Sequence, residues 1–186
     1  DQARDYCLND RGKEGFEEYE IGKIPEDRRK KKERPTYSPF KREDLPDWNQ
    51  PIIDMCKQEP DPRSVYWYWE PVGNVGKTRL ARYLTAELGA ILVSGKAADA
   101  KMAVLQYIEK NNKRPSIVMI DVPRCHSVEY ISYEAIESIK QMYFYNGKYD
   151  GGMVNEPPCH LIVFANQPPV MDKLSCDRWC VAVVPP

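Results

Sequence analysis

A glycine-rich segment, Val72-Gly73-Asn74-Val75-Gly76-Lys77-Thr78, constrains the fold of this chain more than any other feature. An apolar run at residues 65–69 precedes it, and Leu80, Leu84 and Leu88 follow it at helical spacing. A strand, a glycine loop, Gly-Lys-Thr and a helix in this order are typical of a phosphate-binding loop. In such a loop, backbone N–H groups and the helix N-terminus surround phosphate oxygens. The segment therefore predicts a nucleotide site on an α/β fold.

Two side chains of this segment have individual roles in a phosphate-binding loop. Lys77 is expected to reach the β- and γ-phosphates, and the Thr78 hydroxyl is expected to ligate Mg²⁺. The strict spacing places the first glycine at position 71, where this chain has Pro71 after Glu70. A glycine-rich turn that contains Lys-Thr by coincidence is the alternative, but the flanking strand and helix patterns favour the binding loop.

The composition restricts the class of protein. The chain has 186 residues, of which 42% are apolar and 30% charged, as expected for a globular domain with an appendage. No run approaches the roughly 20 apolar residues that span a bilayer, so no membrane partner is predicted. The net charge of −1 means that affinity for nucleic acid has to come from local patches. The first residue is Asp1 rather than Met, so we expect a longer protein.

The cysteines indicate a compartment rather than a site. There are six, spaced irregularly and without a C-x-x-C pair, and the chain has two histidines. This pattern predicts neither a zinc cluster nor a disulfide framework. A reducing compartment, the cytosol or the nucleus, is therefore expected.

The first sixty residues divide into short segments of different character. Residues 1–11 have a helix pattern and residues 16–21 a strand pattern, which together are too small to bury a core and predict the end of a preceding domain. Residues 25–40 contain a proline-bounded basic run, a linker pattern that also suits a nuclear localisation signal or a phosphate-contacting patch. Residues 47–56 have the spacing of an amphipathic helix, which must pack on its own core or on a neighbouring subunit.

Polar residues end two of the apolar runs that predict buried strands. Asp121 follows residues 117–120, and Asn166 follows residues 160–165. Ligands of open α/β sheets bind at the carboxyl edge of the strands. Asp121 is therefore a candidate to hold Mg²⁺ through water, with a strand-ending turn as the alternative. Asn166 is expected to lie near Asp121, where its amide can orient an attacking water.

Lys148 and Arg178 each have two interpretations, one as a functional residue and one as an ordinary surface residue. Lys148 lies in an Asn-Gly turn between Tyr145 and Tyr149, which predicts an exposed hairpin that could contact a nucleic-acid backbone while the aromatic rings stack on bases. A solvated loop lysine is the alternative. Arg178 precedes the last apolar run, where it is either surface decoration or an arginine finger for another subunit's γ-phosphate.

Several motifs accompany the loop in order along the chain. They are Pro60-Asp61-Pro62-Arg63, Tyr66-Trp67-Tyr68-Trp69-Glu70, Ile120-Asp121-Val122-Pro123-Arg124, Gly147-Lys148-Tyr149-Asp150-Gly151-Gly152, Val163-Phe164-Ala165-Asn166 and Leu174-Ser175-Cys176-Asp177-Arg178-Trp179. This ordered set resembles the helicase part of replication initiator (Rep) proteins of circular single-stranded DNA viruses and their satellites. The resemblance covers about residues 45–186.

The resemblance implies a superfamily 3 helicase. Its fold would be an α/β, AAA+-like P-loop ATPase with a central, mostly parallel sheet, preceded by a short helical oligomerisation segment. The implied domains are the end of an HUH endonuclease domain at 1–26, a basic linker at 27–40, the oligomerisation segment at 41–60 and the ATPase domain at 61–186. The implied partners are single-stranded DNA and further copies of the chain in a ring, usually of six. The expected location is the host nucleus.

The resemblance also implies roles for single residues, which fall into four groups. They are Gly73, Asn74, Val75, Gly76, Lys77 and Thr78 for ATP; Thr78 and Asp121 for Mg²⁺; Lys77, Asp121 (Walker B acid), Asn166 (sensor) and Arg178 (finger supplied in trans) for catalysis; and Lys148, beside Tyr149, for DNA.

The front of the chain resembles the tyrosine motif that closes an HUH endonuclease domain. Tyr6 stands at the position of the DNA-nicking nucleophile, and Asn9 stands where the family has lysine. The family's His-hydrophobic-His metal motif is absent from this sequence. Nicking by Tyr6, with a divalent metal, is therefore expected only in a full-length protein.

The sequence leaves open which residue is the general base and which activity the chain has. The second acid that often follows the Walker B residue is replaced by Val122, which leaves Glu70, Glu129, Glu134 and Glu137 as candidates. A nucleotide-gated, DNA-binding assembly scaffold with little unwinding is the second hypothesis. A helicase of the same superfamily from an RNA virus or plasmid is the third, and the tyrosine motif argues against the RNA-virus version.

Overall fold

A five-stranded parallel sheet lies at the centre of the structure, a computed structural model that describes residues 37, 40–147 and 151–185. In chain order the strands of this described part are β1 (Val65–Trp69), β2 (Ile91–Val93), β3 (Ile117–Asp121), β4 (Tyr143–Asn146), β5 (Gly152–Asn155), β6 (His160–Ala165) and β7 (Trp179–Val183). The central sheet has the order β2-β3-β6-β1-β7, and β4 and β5 form a separate antiparallel hairpin. The prediction of an α/β fold with a mostly parallel central sheet is confirmed.

The α-helices in the described residues are α1 (Gln50–Cys56), α2 (Lys77–Leu88), α3 (Ala97–Asn111) and α4 (Tyr133–Gln141). The helical spacing of Ile131, Ala135, Ile139 and Met142 predicts a helix over residues 130–143, and α4 is shorter than that. The Ser132 hydroxyl accepts a hydrogen bond from the Ala135 N–H (3.2 Å) and starts the helix. Met142 has a left-handed conformation (φ 49°) and ends it, so that Tyr143 begins β4 instead.

The sheet has an apolar core on each face, because side chains of a strand alternate between the faces. In β6, Leu161 and Val163 join the core formed with α3, α4 and the β4–β5 hairpin, whereas Ile162 and Phe164 join the core formed with α1 and α2. All six residues of this strand are buried. The continuous apolar run in the sequence therefore reflects a central strand that is covered on both faces.

Helix α1 packs on the core of its own chain. Ile52, Ile53 and Cys56 are buried in one cluster with Leu80 and Leu84 of α2. Of the two packing partners left open by the sequence, its own core is the one observed. The role of residues 41–60 in ring assembly stays a prediction.

All described residues belong to the unit Thr36–Pro186, one of the two into which the chain divides. The predicted endonuclease segment at 1–26 and most of the predicted linker at 27–40 lie outside the described residues. Within the described part, no helix has the length and apolar character needed to cross a membrane.

Candidate nucleotide site

The predicted loop borders a pocket of about 620 Å³ at the carboxyl edge of the central sheet. Strand β1 lies beside β6 with Trp69 opposite Ala165, and β6 lies beside β3 with Phe164 opposite Asp121. The polar residues that end these strands are therefore neighbours. Glu70, Asp121 and Asn166 line the pocket together with residues 73–79 of the loop and the start of α2. Asp121 and Asn166 thus line one pocket, and the roles assigned to them in nucleotide hydrolysis stay predictions.

The loop backbone has the left-handed turns that a phosphate cradle requires. Gly73, Asn74 and Gly76 have φ angles of 98°, 63° and 93°. Asparagine tolerates this region better than most residues, and glycine adopts it without steric cost. Gly76 precedes α2, and its carbonyl accepts the Leu80 N–H (3.0 Å), so the open N–H groups at the start of the helix belong to the pocket.

A substitution at Gly73 tests the loop geometry. We expect Gly73→Ala to weaken nucleotide binding by about tenfold or more, since a left-handed non-glycine residue is strained by about 1–3 kcal/mol and the new Cβ would collide with the Arg124 guanidinium. Gly89→Ala is the matched control, because Gly89 is also left-handed (φ 66°) but has open space around it. Calorimetric titration with MgATP and thermal unfolding measure both effects. Equal losses of affinity in the two variants would contradict the assignment of the loop.

A charged cluster occupies the inner wall of the pocket. The Lys77 ammonium donates to the Glu70 carboxylate and to Asn166 Oδ1, the latter at 3.1 Å. The second Glu70 oxygen accepts the Gly73 N–H. Glu70 is only 3% exposed. Burial alone raises the pKa of Glu70, but hydrogen bonds from Lys77 and Gly73 and the charges of Lys77 and Arg124 lower it below the usual value.

Asp121 and Thr78 are oxygen-bearing residues that both line the pocket. Asp121 ends β3 and is partly buried, and burial raises its pKa while the Lys77 charge opposes the rise. The Thr78 side chain lines the same pocket. A carboxylate and a hydroxyl are ligands that Mg²⁺ accepts, usually with several waters retained. The donor set therefore fits the metal that the sequence predicts.

The carboxylates considered as general base lie in different places. Glu134 pairs with Lys101, and Glu137 pairs with Arg178 at 3.0 Å. Of the four candidates, Glu70 alone lines the pocket among the described residues.

Arg178 lies at the opposite edge of the sheet from the loop. It immediately precedes β7, whose first residue is opposite Val65, the first residue of β1. The loop follows the other end of β1, roughly 13 Å away at about 3.3 Å per residue. Arg178 is also only 5% exposed. It does not reach the phosphate loop of its own chain, and its role towards a neighbouring subunit stays a prediction.

Three predicted residues lie outside the described part of the chain: Lys148, Tyr149 and Tyr6. Their roles stay predictions.

Arg124 and Trp48 line the pocket, although the sequence analysis assigns neither of them to the nucleotide site. Arg124 follows Asp121 by three residues, and its guanidinium covers Gly73. The Trp48 indole N–H donates to the Val75 carbonyl at 3.0 Å, which ties the segment before α1 to the loop. Arg124 belongs to a recognised motif, so its place beside Asp121 could have been noticed. The contact of Trp48 has no signal in the sequence, because 27 residues separate the partners.

These observations define an α/β protein with a polar pocket at the carboxyl edge of a parallel sheet, the place where such sheets bind their ligands. No family model matches the chain.

The chain is similar to proteins of plant-virus satellites that are named Para-Rep. It is 37% identical over 138 residues to Para-Rep C6 of Subterranean clover stunt C6 alphasatellite, a match that covers 73% of this chain and 46% of the relative. It is 36% identical over 139 residues to Para-Rep C10 of Milk vetch dwarf C10 alphasatellite and 35% identical over 139 residues to Para-Rep C7 of Faba bean necrotic yellows C7 alphasatellite, each covering 73% of this chain and 47% of the relative. The chain spans about half the length of these relatives. The similarities support a Rep-like protein.

Proposed function

We propose that this chain is the motor part of a replication initiator of a circular single-stranded DNA element. It would be an ATP-dependent DNA helicase with an AAA+-like P-loop fold of superfamily 3, acting in the host nucleus as a ring, with six subunits in the family's pattern. The names of the relatives support the Rep-like part of this proposal. The full-length protein would also nick and join origin DNA through Tyr6 and a divalent metal held by residues outside this chain.

One observation supports the motor more than any other. A single pocket contains the left-handed glycine loop, Lys77, Thr78, Asp121 and Asn166. The loop N–H groups and Lys77 would bind the phosphates of ATP. Thr78 and Asp121 would hold Mg²⁺, which neutralises charge on the phosphates when bound. Asn166, already hydrogen-bonded to Lys77, would orient the attacking water.

The direct test is the activity of the unmodified protein. We expect ATP hydrolysis that single-stranded DNA accelerates, together with displacement of a labelled strand from a forked duplex. ATP hydrolysis is read by phosphate release, and assembly by sedimentation with and without ATP and DNA. A protein that binds neither ATP nor DNA would contradict the proposal.

The assembly scaffold remains a second candidate because of two observations. Glu70 is hydrogen-bonded to Lys77, and Val122, at the place of the second acid, is buried and carries no carboxylate. Both features suit slow hydrolysis. Rings that bind ATP and DNA but displace no strand would favour the scaffold over the motor.

The β4–β5 hairpin carries an exposed aromatic face that suits single-stranded DNA. Tyr143 and Tyr145 are 59% and 67% exposed, and Met153, which is opposite Tyr145, is 52% exposed. Phe144 on the other face is buried in the core. The core therefore holds the hairpin while the tyrosine rings face outwards, where bases can stack on them.

The hairpin face leads to a prediction for DNA binding. Tyr145→Ala is expected to weaken the binding of oligodeoxythymidine by about 5- to 150-fold, because base–aromatic stacking contributes about 1–3 kcal/mol per base. The measurement is fluorescence anisotropy at one fixed salt concentration. Leu92→Ala removes an exposed apolar side chain on β2, outside the hairpin, and is the control. If both variants bound DNA as the unmodified protein does, the hairpin would not be the stacking surface.

A further inference from the structure

We infer that Glu70 is an internal anion that occupies the phosphate-binding donors of the loop, so that a nucleoside triphosphate has to displace it in order to bind. The inference rests on the proposed function, since it concerns the ligand of the same pocket. It assigns Glu70 a positioning role towards Lys77 and the loop.

The contacts of Glu70 are those that a phosphate would make. One carboxylate oxygen accepts from the Lys77 ammonium, and the other accepts from the Gly73 N–H. A phosphate-binding loop offers these two kinds of donor, a backbone N–H and the loop lysine, to phosphate oxygens. Arg124 adds a second positive group beside the same carboxylate. Glu70 thus lies within a cradle of donors built for an anion.

The electrostatics make sharing of this cradle unfavourable. Glu70 is nearly fully buried, and its low pKa means that it is charged at neutral pH. A second anion brought to Lys77 would meet a carboxylate that water barely screens. Either Glu70 rotates away as the phosphates arrive, or the phosphates do not bind. Nucleotide affinity is therefore reduced by the free energy needed to release Glu70.

Pro71 restricts how Glu70 can leave the loop. The residue before a proline is restricted to extended backbone conformations, so Glu70 continues the direction of β1. Its N–H also donates to the Ala165 carbonyl of β6, at 3.4 Å. With its backbone held in this way, Glu70 releases the loop by rotation of its side chain. This restriction of the Glu70 backbone gives a structural reason for Pro71, which stands where the strict loop spacing has glycine.

The isosteric substitution Glu70→Gln tests the inference by separating affinity from turnover. We expect it to bind MgATP about tenfold more tightly than the unmodified protein in calorimetric titration. Without ligand it should unfold at a lower temperature, because the Lys77 pair is lost. Its rise in unfolding temperature on addition of MgATP should be larger than that of the unmodified protein. A merely structural role would produce the first thermal effect but not the second.

Two further variants complete the design. Glu70→Asp keeps the charge at a shorter reach and should bind MgATP within about threefold of the unmodified protein. Glu109→Gln removes an exposed carboxylate from α3, which does not line the pocket, and is the control.

The outcomes that overturn the inference are distinct. If the unmodified protein binds MgATP and Glu70→Gln binds it no more tightly, the internal-anion role is wrong. If Glu70→Gln keeps the affinity but loses turnover, Glu70 is the general base instead. A folded, unmodified protein that binds no nucleotide overturns the proposed function, and the inference with it.

Discussion

Replacement of Lys77 by alanine is expected to lower the rate of ATP hydrolysis by about 10³-fold or more. Loss of a single preorganised donor to developing charge costs about 10²–10³ in rate. Lys77 would supply both phosphate binding and charge stabilisation, so the loss should appear in affinity as well as in turnover. The measurement is steady-state phosphate release with saturating single-stranded DNA.

Lys77→Ala is also expected to lower the stability of the protein, because Lys77 is paired with the buried Glu70. Lys77→Ala leaves the Glu70 carboxylate buried without a cation. Removal of one partner from a buried ion pair destabilises a protein by about 3–5 kcal/mol. Part of any loss of activity could therefore come from unfolding. The double variant Lys77→Ala/Glu70→Gln removes the unpaired charge and should recover thermal stability without recovering hydrolysis.

A lysine on a distant helix provides the matched control for Lys77. Lys110 is exposed near the end of α3, and Lys110→Ala should hydrolyse ATP at the rate of the unmodified protein. If the folded double variant hydrolysed ATP normally, Lys77 would not belong to the catalytic site.

The sheet could be predicted from the sequence because buried parallel strands have a simple pattern. The apolar run at residues 65–69 matches β1 residue for residue, and the run at 117–120 together with the Asp121 that ends it matches β3. Polar residues that end such runs must meet at the carboxyl edge, which places Asp121 and Asn166 together. The order of the strands and the residue register between them required the structure.

Boundaries that depend on local hydrogen bonds were less accessible. The apolar spacing continues through Ser132 and Met142, where the capping hydroxyl and a left-handed residue limit α4. The apolar run at residues 181–184 predicts the last strand, but β7 begins two residues earlier, at Trp179, because its backbone pairing with β1 starts there. Neither effect changes the hydrophobic pattern, so neither appears in it.

The charged contacts of Glu70 and Arg178 could not be predicted from the sequence, because they depend on where long side chains reach in the folded chain. The sequence makes Glu70 a candidate general base, but its contact with Lys77 depends on how the loop folds back over seven residues. The sequence allows Arg178 to be either surface decoration or an arginine finger. The structure shows a buried arginine in contact with Glu137, a partner 41 positions away that no local pattern connects with it.

Replacement of Arg178 by alanine is the second prediction with a large expected effect. If Arg178 completes the site of a neighbouring subunit, Arg178→Ala should lower ATP hydrolysis by about 10³–10⁵-fold while each subunit still binds MgATP. Its Nη1 is buried and has no hydrogen-bond partner within the described residues, so contact with a neighbouring subunit would require the side chain to leave Glu137. Arg63→Ala is the matched control, since Arg63 is an exposed arginine beside the same turn and pairs with Asp177 at 2.7 Å.

A mixing experiment distinguishes a finger from a structural arginine. Neither Lys77→Ala nor Arg178→Ala subunits should hydrolyse ATP alone. In a mixed ring, the intact loop of an Arg178→Ala subunit can face the intact Arg178 of a Lys77→Ala subunit, so activity should reappear at those interfaces. Recovery has to depend on total protein concentration, because it requires assembly. If both variants are folded and assemble, and their mixture stays inactive, Arg178 acts within its own chain through Glu137, and the finger assignment is wrong.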